Sequence, residues 1–147
     1  FSEQEARGYQ VFQQHCNACH TEPLFTNFSF ENNGLPVDTT LNDWGRYAVT
    51  QLPEDSLKFK VPSLRNLRYT FPYMHDGRFE NLREVLRHYE KGMAFTASLS
   101  EQLREGVVIN DVEKSDLLAF LLTLNDESFV FNPEHQYPKE IFNQSKD

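Results

Sequence analysis

The chain has 147 residues, a formal net charge of −8, and an aromatic content of 14% made mostly of thirteen Phe and six Tyr. That length fits one domain, residues 1–147, with a core of its own. The acidic balance argues against nucleic acid and anionic membrane surfaces, and it suits a basic protein partner. No apolar run approaches the ~20 residues of a membrane span.

The chain opens on a legible helix start. Ser2 followed three residues later by Glu5 makes a capping box. Ala6, Tyr9, Phe12 and Cys16 then recur at helical spacing, which predicts one face of a helix ending near Cys16. Gly8 on that helix would let a second helix approach closely. The helix delivers Cys16-Asn17-Ala18-Cys19-His20, which reads C-x-x-C-H, the attachment signature of c-type haem. Two thiols one turn apart can add to the two vinyl groups of one porphyrin, and the histidine that follows is placed to ligate the iron. Two other readings use the same cysteines. A zinc half-site would want a second pair of ligands, and the chain has no third cysteine. A redox pair would want a strand–helix–strand setting, whereas this motif closes a helix. Neighbouring His15 reads as surface.

After His20 the pattern is that of a long loop, with Leu24, Phe25, Phe28 and Phe30 needing apolar cover and a turn at Asn32-Asn33-Gly34-Leu35-Pro36. The covalent ligand or ordinary packing under the loop would serve. Residues 37–57 carry a weak pattern. Trp44-Gly45-Arg46-Tyr47 is compatible with a helical turn or a strand edge, and Trp44 reads as a core or rim residue.

The next block, Phe59 to Phe79, contains Pro62-Ser63-Leu64-Arg65-Asn66 and then Thr70-Phe71-Pro72-Tyr73-Met74-His75-Asp76-Gly77. Together with Cys19-His20-Thr21-Glu22-Pro23-Leu24-Phe25-Thr26, it resembles the C-terminal haem domain of the bacterial di-haem cytochrome c peroxidase family, which includes the MauG-type enzymes. The likeness spans nearly the whole chain. It implies an all-α, cytochrome c-like haem domain with long loop insertions, covalent haem c, and a periplasmic location. It also implies that a second haem domain, N-terminal to this one, meets hydrogen peroxide. With a single C-x-x-C-H, this chain is expected to be the electron-transfer half, not catalytic alone, with Phe1 at a domain boundary and no leader within the chain. Its expected partners are that N-terminal haem domain and a small redox protein donor. A stand-alone monohaem electron carrier is the alternative.

The segment Asn81–Lys91 predicts a helix with Leu82, Val85, Leu86 and Tyr89 on its apolar face, stopped by Gly92. Family members take a methionine or, in the MauG type, a tyrosine from this region as distal iron ligand. The resemblance places Tyr89 there, with Met93 second and Met74 third; a core aromatic is the plainer role for Tyr89. It also places His75 near the haem and the domain interface, against a plain turn histidine. The carbonyls of Thr70 and Pro72 fall at positions that bind Ca²⁺ between the two domains. Arg65 is a partner for haem propionates or a solvated cation. His88 reads as helix surface and His135 as part of a polar tail.

Residues 99–108 form a loop or short helix around Leu103. Asn110 with Glu113 repeats the capping box and opens a helix to Leu124, with an apolar face at Leu117, Leu118, Phe120, Leu121 and Leu124. This helix is expected to cross the first one, Gly8 and Phe12 meeting Phe120. The tail from Asp126 to Asp147 is expected to lie extended over the surface.

Overall fold

The computed structural model describes residues 1–137. Its frame is two helices, α1 (Glu3–His15) and α4 (Asp111–Leu122), that cross at close range. Both begin where the sequence places them. The Ser2 and Asn110 side chains accept amides of their first turns, while Glu5 and Glu113 reach back to the cap amides at 2.6 and 2.8 Å. Each box satisfies donors that a bare helix end leaves without partners.

The crossing requires a glycine. A Cβ at Gly8 would overlap the carbonyl of Asp116 and stand 2.9 Å from the Cβ of Phe120. Around that point the rings of Phe12 and Phe120 pack with centroids 5.2 Å apart, and Tyr9 meets Phe120 at the same distance. Phe12 is 0% and Phe120 1% exposed, so each ring contributes on the order of 1.5–3 kcal/mol of burial. Phe25 from the loop joins them, its ring 5.4 Å from Phe12. The face of α1 differs from its expected one: Gly8, Val11 and Phe12 are buried while Ala6 is exposed. The close approach at Gly8 turns the contact toward that side. Above the crossing, Arg7 and the buried Asp116 pair at 2.8 Å.

The helices are joined by loops with little regular structure. Strands β1 (Phe30–Glu31) and β2 (Phe59–Lys60) form one short antiparallel ladder, so the fold is helical with a two-stranded clip rather than purely α. A four-residue helix, α2 (Tyr47–Thr50), sits between them, and Trp44 just before it is an exposed rim residue. Of the four loop hydrophobics only Phe25 enters the core. Leu24 stays exposed, and Phe28 and Phe30 lie under Lys60 and Arg46 at 4.9 and 4.5 Å.

Helix α3 (Leu82–Arg87), capped by Asn81, runs directly into a π-helical turn, His88–Gly92. The expected helix is therefore present but changes its winding before Gly92. That change buries His88, 4% exposed, whose Nε2 lies 2.9 Å from the Asn33 carbonyl, so the surface reading of this histidine is corrected. After α4, a short α5 (Glu127–Val130) and a 3₁₀ turn at Pro133–His135 replace the extended tail expected as far as His135. The remainder of that expected tail, from residue 138, lies outside the described residues. Among the described residues no helix is long and apolar enough to cross a membrane.

Candidate functional site

The last turn of α1 ends at Cys16, whose amide bonds the Phe12 carbonyl at 2.8 Å, and His20 folds back so that its amide bonds the Cys16 carbonyl at 2.9 Å. This tight return brings Cys16, Cys19 and His20 onto the wall of one cavity of about 480 Å³. Further walls come from the apolar face of α3 with Tyr89, from Leu117 and Leu121 of α4, and from Leu103, Val107 and Ile109 of the preceding loop. Residues 59–75 close the remaining side. A cavity of this volume, mostly apolar with a few polar groups, has the character of a site for a small ligand or cofactor.

The imidazole of His20 is oriented by backbone. Its Nδ1 stands 3.1 Å from the carbonyls of both Phe25 and Pro62. Two acceptors at one ring nitrogen require the proton there, so Nε2 keeps its lone pair free. Burial pushes the His20 pKa down, against the two carbonyls that pull it up, and so favours the neutral ring that binds metals. Cys16 and Cys19 are free of a disulfide. Burial raises the Cys16 thiol to about 12 and raises Cys19 as well, with the neighbouring thiol and Glu31 adding in turn.

Tyr89 reaches the cavity from the π-helical turn. Burial pushes its phenol up to about 12; a hydrogen bond from Asn33 acts in the opposite sense, and the two thiols add to the rise. The lining suits a haem attached through C-x-x-C-H. Two sulfurs and an imidazole with a free Nε2 share one apolar chamber, and an oxygen donor lines the same chamber. The zinc reading fits less well, since no group of three or more His, Cys, Asp or Glu suited to a metal occurs among the described residues.

The other expected site residues divide. Met74, His75, Thr70 and Pro72 line the same cavity as the motif, and His75 stacks on Phe59 with ring centroids 3.6 Å apart. Arg65 is turned to the loop: its guanidinium donates to the Pro23 carbonyl at 3.1 and 2.6 Å and lies 5.6 Å from the Phe25 ring. Met93 is not among the cavity-lining residues; it follows the π-helical turn and packs beside Gly34. Several lining residues escaped sequence reasoning, notably Asn33, Leu103, Val107, Ile109 and His15. The Asn-Asn-Gly turn was the one visible signal for Asn33, and it speaks of backbone geometry rather than of a ligand wall.

No protein-family model matches the chain. Among curated proteins it is 40% identical over 123 residues to the methylamine utilization protein MauG of Methylorubrum extorquens, covering 82% of this chain and 34% of that protein. It is 32% identical over 166 residues to the cytochrome-c peroxidase IdrP1 of a Pseudomonas species, covering 92% of this chain and 44% of the relative. Against the cytochrome c peroxidase Ccp of Escherichia coli it is 34% identical over 139 residues, covering 90% of the chain and 27% of the relative. The chain thus spans less than half the length of these relatives. Among solved structures, a MauG-like protein associated with microbial copper homeostasis superposes with a TM-score of 0.83 at 31% identity, over 95% of this chain and 52% of the other. The diheme peroxidase BthA of Burkholderia thailandensis shares the fold, with a TM-score of 0.68 at 22% identity over 88% of this chain and 44% of the other. With the attachment motif, the oriented histidine and the apolar chamber all in one region of common sequence and fold, this chain belongs to the MauG and di-haem cytochrome c peroxidase family and corresponds to the C-terminal part of its members.

Proposed function

We propose that this chain carries haem c in the described cavity and serves as the electron-transfer haem domain of a di-haem peroxidase or MauG-like oxidase. The observation that carries the reading is the convergence of Cys16, Cys19, His20 and Tyr89 on one apolar chamber, with His20 Nδ1 committed to two backbone carbonyls. The sulfurs of Cys16 and Cys19 would hold the haem as thioethers, and His20 Nε2 would be its proximal ligand. Bound there, haem supplies one-electron redox chemistry. The chain's own part is to fix the imidazole tautomer, to exclude water with the α3 and 103–109 walls, and to present Tyr89 as second axial ligand.

Tyr89 is favoured over Met93 because it lines the cavity and Met93 does not. A phenolate oxygen is a hard anionic ligand that favours ferric iron, whereas a thioether raises the potential. Hydrogen peroxide is then reduced at the partner haem domain, and a small redox protein or a substrate exchanges electrons with the pair. Thr70 and Pro72 are the residues whose carbonyls would take Ca²⁺ at the junction of the two domains. The periplasm, where haem c is attached, is the matching compartment.

The test is purified protein from a host that matures c-type cytochromes. Intact mass and spectra should report one covalent haem, lost in Cys16→Ser/Cys19→Ser. The ferric spectrum should change in Tyr89→Phe and stay as it is in Met93→Leu. Protein purified from that host with no covalent haem, or a spectrum that Met93→Leu alters and Tyr89→Phe does not, overturns the reading.

A further inference from the structure

Tyr89 and Met74 line the same cavity, and both carry atoms able to bind iron. One carboxamide bears on both. The Asn33 Nδ2 donates to the Met74 sulfur at 3.4 Å, and the same side chain lines the cavity with Tyr89 and pulls its phenol pKa down against burial. Which end of the amide faces them is fixed locally, because Oδ1 accepts the Leu35 amide at 3.2 Å. The Asn33 carbonyl in turn pairs with His88 Nε2 at 2.9 Å, the residue just before Tyr89.

We propose that Asn33 is the positioning residue that gives the second axial place on the haem to Tyr89 and withholds it from Met74. The proposal rests on the haem reading above and deepens it. Asn33 bears on the tyrosine through its amide and, by way of its backbone carbonyl, through His88. An amide N–H offered to a phenol oxygen is an interaction that an iron-bound phenolate would keep, since anionic oxygen accepts more strongly than a neutral one. A thioether moving onto iron would first have to leave the same amide. Met74 also starts from a left-handed backbone, φ +72°, where a non-glycine residue has little room to reorient.

Asn33 can impose this choice because its own position is fixed. Asn32, 1% exposed, donates to the hydroxyls of Thr96 and Ser98 at 3.0 and 2.9 Å and accepts the Gly34 amide at 2.8 Å. The Gly34 carbonyl accepts the Ala94 amide at 2.7 Å, and Gly34 itself sits at φ +72° with no space for a Cβ beside Met93. The turn 32–34 is thereby tied to the segment that follows the π-helical turn bearing Tyr89.

The experiment compares ferric spectra and midpoint potentials of haem-loaded wild type, Tyr89→Phe, Asn33→Leu, Asn33→Asp and the double variant Asn33→Leu/Met74→Leu. In wild type a tyrosinate signature that Tyr89→Phe removes is expected. Asn33→Leu should lose that signature, gain a thioether-to-iron band and shift the potential upward, and the double variant should lose the new band. Asn33→Asp keeps the shape and the Leu35 contact but has no N–H, so it too should lose the tyrosinate signature; it decides the matter if Asn33→Leu does not fold. Unchanged spectra in both single variants would overturn the proposal. So would loss of the tyrosinate signature in Asn33→Leu without any thioether band, which marks general loosening. A wild type lacking tyrosinate ligation defeats the haem-ligand reading first, and this inference with it.

Discussion

Cys16 and Cys19, as bare thiols, sit where thiolates are disfavoured. Cys16 is pushed up to about 12 by burial first and by its neighbour second, and Cys19 is raised by the same burial to a lesser depth. Thiolate is the nucleophile in alkylation as in metal binding. In haem-free folded protein at pH 8, iodoacetamide should therefore label both cysteines far more slowly than an unfolded control. Cys16 should lag behind Cys19, as peptide mass mapping would show; equal rates in folded and unfolded chains would contradict the geometry. Slow labelling would place sulfur chemistry at this motif in the open chain, before α1 and the 59–75 segment close over it. A thioether at each sulfur would end that suppression, because it has no proton to lose.

The crossing of α1 and α4 is where element-level energetics concentrate. Replacing Gly8 by Ala gains about 1 kcal/mol of helix propensity but puts a methyl into the Asp116 carbonyl and Phe120. A backbone carbonyl and a Cβ, both fixed to helix α4, leave nothing flexible to yield, so overpacking of about 1–3 kcal/mol or more should win. Denaturant melts should show Gly8→Ala less stable than wild type, and a neutral or stabilising result would mean the helices cross elsewhere. Asp116 belongs to the same contact. Its carboxyl is held below the ordinary 3.8, first by the hydrogen bond from Arg7, against desolvation that opposes it. A depressed carboxylate stabilises the fold above its unfolded pKa and loses that contribution as pH falls through the folded value. Asp116→Asn should thus be destabilised at neutral pH, with the deficit against wild type shrinking below about pH 4. The two helices were legible because capping boxes and apolar spacing are local signals, and Gly8 marks a close approach. His88 and Asn33 were not. A π-helical turn leaves no distinct hydrophobic period, and the partners of Asn33 stand 41 and 55 residues away in sequence. In the same way C-x-x-C-H announces the motif, while the 103–109 wall is recognisable only once the chain has folded against it.

At the scale of the whole molecule, the apolar cavity divides the fold into two parts of unequal independence. The α1–α4 crossing is sealed by Phe12 and Phe120, neither of them more than 1% exposed. By contrast α3, its π-helical turn and the 99–109 loop present much of their apolar face to the cavity. Regions with few apolar contacts of their own open at lower free energy than the global transition. A ligand present only in the native state stabilises what it touches. Hydrogen exchange of the Cys16→Ser/Cys19→Ser protein against the haem-loaded form should therefore show lost protection over 82–92 and 99–109. Protection over 8–12 and 116–121 should be largely retained. A uniform loss along the chain would mean that haem organises the helix crossing as well, and that the fold has no haem-independent frame. The same division bears on activity. If His20 and Tyr89 hold a haem iron as proposed, the isolated chain would offer hydrogen peroxide no open coordination position. Steady-state assays of the haem-loaded chain alone should find no peroxide turnover above that of free haem. Turnover should appear in Tyr89→Phe, where one axial position is vacated. If wild type and Tyr89→Phe turn over peroxide equally, Tyr89 does not guard the iron, and the assignment of this domain to electron transfer falls.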